Sequence, residues 1–223
     1  MKAMLVLAML LLTGPVFAGP LEDAEAAYNR EDYATAARLF LPLADQGDAS
    51  AQSYLGRMYD NGQGVPKDYA QAAQWYRLAA DRGNIDAQIN LAGRYNAGHG
   101  VPKDYVLAAK WYRLAADQGH VMAQHALADM YALGRGMPKD YVLAAKWYRL
   151  AADQGHVWAQ YDLGEVYANG WGMPKDYVLA YMWLNLAAAS LEFIGRDRDL
   201  LAARMTRDQI AEAQRLSREW KPK

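Results

Sequence analysis

The side chains best suited to chemistry in this chain are four histidines, 25 carboxylates and a row of tryptophans, and the spacing of each set decides what it can do. His120 and His125 stand five apart, and no His-Glu-x-x-His or other paired-ligand spacing occurs, so the pattern predicts no metal site. His120 and His156 fill positions held elsewhere by Asp48 and Asn84, residue types that cap helices, so capping or solvent-facing imidazoles are expected. No Gly-x-Ser-x-Gly elbow or Ser-x-x-Lys pair offers an activated hydroxyl. Cysteine is absent, which removes thiol nucleophiles, thiolate metal sites and disulfides together. The carboxylates read as structural: Asp68, Asp104, Asp140 and Asp176 as helix caps, and Asp81, Asp117 and Asp153 four residues after Arg77, Arg113 and Arg149. The sequence therefore predicts no catalytic residue, no cofactor and no metal: a chain that binds rather than catalyses.

Two further patterns invite a binding reading. The loops Gly62 to Asp68, Gly98 to Asp104, Gly134 to Asp140 and Gly170 to Asp176 combine glycine with lysine, but a phosphate loop needs Gly-x-x-x-x-Gly-Lys-Ser/Thr, whereas here Pro precedes Lys and Asp follows it. These loops are read as structural. Trp75, Trp111, Trp147 and Trp183 could stack on sugars or on an extended peptide if their faces were exposed. Each lies among alanines at helical spacing, which favours packing between neighbouring segments. Beside the tryptophans run Gln74, Lys110 and Lys146, and Arg77, Arg113 and Arg149. These cations could hold an acidic or C-terminal carboxylate partner; the competing reading is solvated side chains paired with Asp81, Asp117 and Asp153.

The elements that must position these residues follow from a 36-residue repeat. Pro-Lys-Asp-Tyr recurs at Pro66 to Tyr69, Pro102 to Tyr105, Pro138 to Tyr141 and Pro174 to Tyr177, and Pro102 to Val121 is identical to Pro138 to Val157. Within Asp104 to Lys139, Tyr105, Ala108, Ala109, Trp111, Tyr112, Ala115 and Ala116 have helical spacing behind an Asp104 cap, and Gly119 stops the helix. A second helix starts near His120, carries Ala123, Leu127 and Tyr131 on one face, and ends at Gly134. Neither helix can bury its apolar face alone, so stacking of units must create the core. Tyr59, Tyr95, Tyr131 and Tyr167 would fill the space between units.

The pattern Asp-x-x-x-Ala-Ala-x-Trp-Tyr-x-x-Ala-Ala-Asp-x-Gly-x-x-x-Ala-Gln-x-x-Leu, then Tyr, then Gly-x-Gly-Val/Met-Pro, resembles a Sel1-like repeat, a relative of the tetratricopeptide repeat. The resemblance covers residues 32–190, with units starting near 32, 68, 104, 140 and 176. It implies an all-α, right-handed α-solenoid of helix-turn-helix units whose first helices line a concave surface. It also implies a non-enzymatic adaptor that binds a protein or peptide. A secreted, cysteine-rich branch of such proteins is associated with β-lactams, but that branch relies on disulfides this chain lacks.

The ends depart from the repeat. Residues 1–18 run from Lys2 through an apolar stretch to Val16-Phe17-Ala18 and read as a signal peptide cleaved near Ala18, predicting a periplasmic or secreted protein. Residues 19–31 read as an N-terminal capping helix. In the first copy Leu39 and Phe40 replace Trp-Tyr, and Pro42 is expected to kink or shorten the helix. Residues 191–223 read as C-terminal capping helices, with Thr206-Arg207-Asp208-Gln209 as a capping box ahead of Ile210, Ala213, Leu216 and Trp220.

Removing Lys2 with the leader leaves 23 basic against 25 acidic residues, a net −2, which is no nucleic-acid footprint. No segment of the mature chain is apolar enough to span a membrane, and capped ends favour a monomer. The candidate partner surface is Arg77, Lys110, Arg113, Lys146, Arg149 and Trp171. Individual specificity is expected where the matching copies differ: Met122/Trp158, His125/Tyr161, Ala126/Asp162, Asp129/Glu165, Leu133/Asn169 and Arg135/Trp171.

Overall fold

The computed structural model describes residues 19–223; the expected leader, residues 1–18, lies outside them. Among the described residues there are twelve α-helices and one 3-10 turn, and no strand. They are α1 (Pro20–Asn29), α2 (Tyr33–Asp45), α3 (Ala49–Asn61), α4 (Tyr69–Asp81), α5 (Ile85–Ala97), α6 (Tyr105–Asp117), α7 (Val121–Leu133), α8 (Tyr141–Asp153), α9 (Val157–Asn169), α10 (Tyr177–Ala188), α11 (Gly195–Ala202) and α12 (Arg207–Glu219). From α1 to α10 each helix packs on the next in sequence, which makes the fold an all-α solenoid.

The starts and stops are chemical. The Asp68, Asp104 and Asp140 side chains each accept hydrogen bonds from two backbone amides of the first turn they precede, and Asp176 accepts from Leu179. Asp48, Asn84 and His156 cap second helices by accepting from Ala51, Ala87 and Ala159, whereas His120 makes no such bond. Second helices stop at Gly62, Gly98, Gly134 and Gly170, all left-handed, where a Cβ would be strained. The following glycine serves close approach as well: at Gly136, φ is 72° and an added Cβ would land on the Tyr105 carbonyl oxygen. That contact lays each Gly-x-Gly loop across the start of its own unit's first helix.

Stacking is mediated by small residues and one large aliphatic per second helix. Ala51, Ala87, Ala123 and Ala159 are fully buried, as are Leu55, Leu91, Leu127 and Leu163 four residues later; burying a leucine contributes about 1.5–3 kcal/mol. The repeated glutamines are also core. Gln52, Gln88, Gln124 and Gln160 are buried and donate Nε2 to the carbonyls of Ala44, Ala80, Ala116 and Ala152 at 2.9–3.4 Å. They satisfy acceptors near the ends of the first helices that packing would otherwise orphan. Gln118 and Gln154 link successive units by donating to Gln88 and Gln124.

Further helices pack on both ends of the stack, with one difference from expectation. Ala24 and Ala27 of α1 are buried against Ala36 and Phe40 of α2. Pro42 lies inside α2 without shortening it: the helix keeps 13 residues, and Gln46 still donates to the Pro42 carbonyl. Pro42 and Arg38 are both exposed, so water can serve the Arg38 carbonyl that the missing amide leaves free. At the other end the capping box at Thr206 and Gln209 forms as the sequence predicts. Ile194, Leu201 and Ala213 are buried over Ala180, Tyr181, Leu184 and Ala187 of α10.

Candidate functional site

The first helices present two different sides. On the inner side Trp111, Trp147 and Trp183 are buried, and Trp75 is half-buried. The three buried rings each have a face taken by arginine: Arg77 lies over Trp111 at 5.4 Å, Arg113 over Trp147 at 5.1 Å and Arg149 over Trp183 at 5.1 Å, each arginine covering the indole of the next unit. The same guanidinium reaches the second-helix tyrosine of its own unit. Arg77 donates to the Tyr95 hydroxyl at 2.6 Å, Arg113 to Tyr131, and Arg149 to Tyr167 at 3.5 Å. A planar cation can stack and donate at once, which a lysine cannot.

This arrangement corrects one sequence expectation. Of the three Arg-Asp pairs at i, i+4, only Arg149–Asp153 forms among the described residues, at 3.0 Å. Stacking on a buried indole outcompetes a solvent-screened pair on one's own helix. Asp153 is held further by the tail, whose Lys223 donates Nζ to its Oδ2 and its backbone N–H to its carbonyl, both at 2.8 Å. With a face covered and the rest buried, Trp111, Trp147 and Trp183 offer no sugar-stacking platform.

The outer side is a repeated strip of exposed aliphatic and cationic residues. Val106, Lys110 and Leu114 on α6, and Val142, Lys146 and Leu150 on α8, occupy i, i+4, i+8 and are all exposed; Leu78 continues the row on α4. An open cavity of about 520 Å³ lies at the α4 position, lined by Ala73, Gln74, Arg77, Leu78, Tyr95 and Val101. The sequence reading found the lysines and missed the aliphatics, although their i, i+4, i+8 spacing opposite the buried alanines was the available signal.

Trp171 lies in the glycine loop that follows α9. It is exposed, but one face stacks on Tyr141 with centroids 5.4 Å apart, as His99 stacks on Tyr69, and Arg135 takes the matching place over Tyr105. It borders a cleft of about 250 Å³ shared with Tyr148, Tyr161 and Asp162.

That cleft adjoins a polar cluster built on a histidine, where the next junction has Tyr161 donating its hydroxyl to Asp197 at 3.3 Å beside Glu165. His125 and Asp129 of α7 meet Asp162 of α9: Nε2 of His125 is 2.7 Å from Asp162 and 3.9 Å from Asp129. The buried Tyr148 donates its hydroxyl to Asp129 at 2.7 Å. Burial opposes ionisation of His125, yet its hydrogen bond to Asp162 and the two nearby carboxylate charges outweigh burial and raise its pKa. Burial also raises the Asp129 carboxyl and holds the Tyr148 phenol well above its ordinary range, so Tyr148 stays a donor. Burial, then the neighbouring His125, lowers His156. The expectation of capping imidazoles therefore fits His156 and not His120, and His125 instead pairs with Asp162, 37 residues away and invisible to any local motif.

The family model described as Sel1 repeat matches residues 49–84, 85–120, 121–156 and 159–190, more than half of the chain. The chain belongs to the Sel1 repeat family. The matched Sel1 units begin at a second helix and end with the next first helix, so they enclose the stacking junction. A Sel1 repeat protein of Oxalobacter formigenes is similar at 30% identity and a TM-score of 0.76, over 90% of this chain and 85% of that one. A protective antigen of uropathogenic Escherichia coli strains, of the same repeat fold, is 30% identical with a TM-score of 0.59 over 90% of this chain. This chain spans about half of that antigen, 52% of its length. No protein of curated function matches significantly. No helix among the described residues of this Sel1 solenoid is long and apolar enough to cross a membrane.

Proposed function

We propose that the chain is an exported, non-enzymatic scaffold whose first-helix face binds an extended, acidic segment of a partner protein. The observation that carries this reading is the repeated strip of Val106, Lys110 and Leu114 followed by Val142, Lys146 and Leu150, exposed in the same register on successive units. A partner alternating carboxylates with aliphatic side chains would pair the lysines and cover the valines and leucines. Arg77, Arg113 and Arg149 support that surface from beneath, because their guanidinium groups are already engaged with tyrosine and tryptophan. Trp171, stacked on Tyr141, would contact a partner only through its free face.

Labelled peptides alternating Glu and Leu are expected to bind the chain more tightly than Lys-Leu peptides of equal length, and to weaken with added salt. Lys110→Glu combined with Lys146→Glu should reduce affinity about tenfold or more, roughly 1.4 kcal/mol, without changing the melting temperature. Equal binding of acidic and basic peptides, or an unchanged Kd in the double variant, would refute the reading.

The export component rests on Lys2, the apolar stretch after it and Val16-Phe17-Ala18. Expressed with its first eighteen residues in a bacterium with a periplasm, the protein is expected in the periplasmic fraction or medium with Gly19 at its N-terminus. Cytoplasmic retention of the uncleaved chain would count against it.

A further inference from the structure

The His125 cluster takes no part in the first-helix face, and repeat packing does not require it. At the preceding junction the corresponding positions hold Ile89, Gly93 and Ala126, and the helices there still stack in sequence. All three cluster side chains fall at positions where matching copies diverge. Two come from α7, one helical turn apart, and the third from α9, so the cluster spans successive units.

Its geometry is that of a ligand set. One atom each from His125, Asp129 and Asp162 lies within 4.8 Å of the other two, and all three residues are half-buried. A divalent ion with bonds of about 2.0–2.2 Å holds its ligand atoms about 3.0–3.5 Å apart. The two distances from His125 Nε2, 2.7 and 3.9 Å, bracket that spacing, so small carboxylate rotations would complete the set. The Tyr148 hydroxyl fixes Asp129 from behind, the outer-shell support that orients a ligating carboxylate. Among the described residues no lysine or arginine forms an ion pair with Asp129 or Asp162. A protonated His125 therefore leaves the trio at −1, whereas neutral imidazole with a dication balances it.

We propose that His125, Asp129 and Asp162 bind one Zn²⁺ ion that bridges α7 and α9, with its remaining positions open to water or to a partner's carboxylate. One imidazole nitrogen with two carboxylate oxygens suits a borderline cation, whereas Mg²⁺ and Ca²⁺ prefer oxygen ligands alone.

The test is calorimetric titration of the chelator-treated, full chain with Zn²⁺, alongside its thermal melting with and without the ion. One ion per chain is expected, with a raised melting temperature, and His125→Ile and Asp162→Ala should each weaken binding about tenfold or more. These replacements are the residues of the preceding junction, and a cooperative melt without metal checks that each variant folds. His156→Asn should retain binding, because Asn84 performs the same capping task. Absence of saturable Zn²⁺ uptake by the folded chain, or the same Kd in folded His125→Ile, would overturn the proposal. Uptake that follows His156 in place of His125 would overturn it as well.

Discussion

Truncation after Met205, which removes α12 and the tail, should make the chain aggregate. The end of the stack is apolar by construction: Trp183 and Leu184 of α10 are fully or nearly fully buried although no further repeat follows them. What covers this end includes α12. Ala213 is fully buried there, Ser217 donates to the Met182 carbonyl, and Trp220 packs edge-on against Trp183 with centroids 6.0 Å apart. Lys223 then ties the tail to Asp153 of the preceding unit. Removing this layer exposes an indole and several aliphatic groups in one patch, the circumstance in which solenoids lose solubility. Size-exclusion chromatography should show early-eluting material and dye-binding assays newly exposed apolar surface. A monomeric truncation melting within about 2 °C of the full chain, less than 1 kcal/mol is worth at this size, would contradict the cap assignment.

The second large effect is expected at Trp147. Its indole is buried between units and covered by Arg113, so Trp147→Ala creates a cavity and strips a stacked cation of its support. Truncation of a buried aromatic costs about 3–5 kcal/mol, which for a chain of this size lowers the melting temperature by about 6–20 °C. Lys146→Ala, one residue earlier but exposed, should stay within about 0.5 kcal/mol. The pair separates packing from recognition: Trp147 should change stability, and Lys146 should change partner affinity at constant stability. If Trp147→Ala melts like the unmodified chain, the indole is not the inter-unit wedge described above.

Much of this was legible in the chain itself. The 36-residue period, the Asp caps, the Gly-x-Gly loops and the capping box at Thr206 are local chemistry: each depends on a residue and partners within a few positions, so type and spacing suffice. The burial of Trp111, Trp147 and Trp183 followed from their place among alanines. Pro42 does not shorten α2 because water can reach the Arg38 carbonyl, a matter of exposure and not of sequence.

The rest needed the tertiary structure because it joins residues from different helices. Arg77, Arg113 and Arg149 had a local carboxylate and a distant indole to choose between, and only the distance between stacked units settles that contest, in favour of the indole for Arg77 and Arg113 and of both partners for Arg149. His125 and Asp162 lie one unit and one residue apart, so neither reads as a ligand until α7 and α9 are laid side by side. The sequence by itself determined that the chain stacks and where the helices of the full repeats start and stop, since those are short-range hydrogen bonds and packing repeated in register. Only the stacked structure decided which polar side chains meet, since contacts across a junction depend on the offset between units.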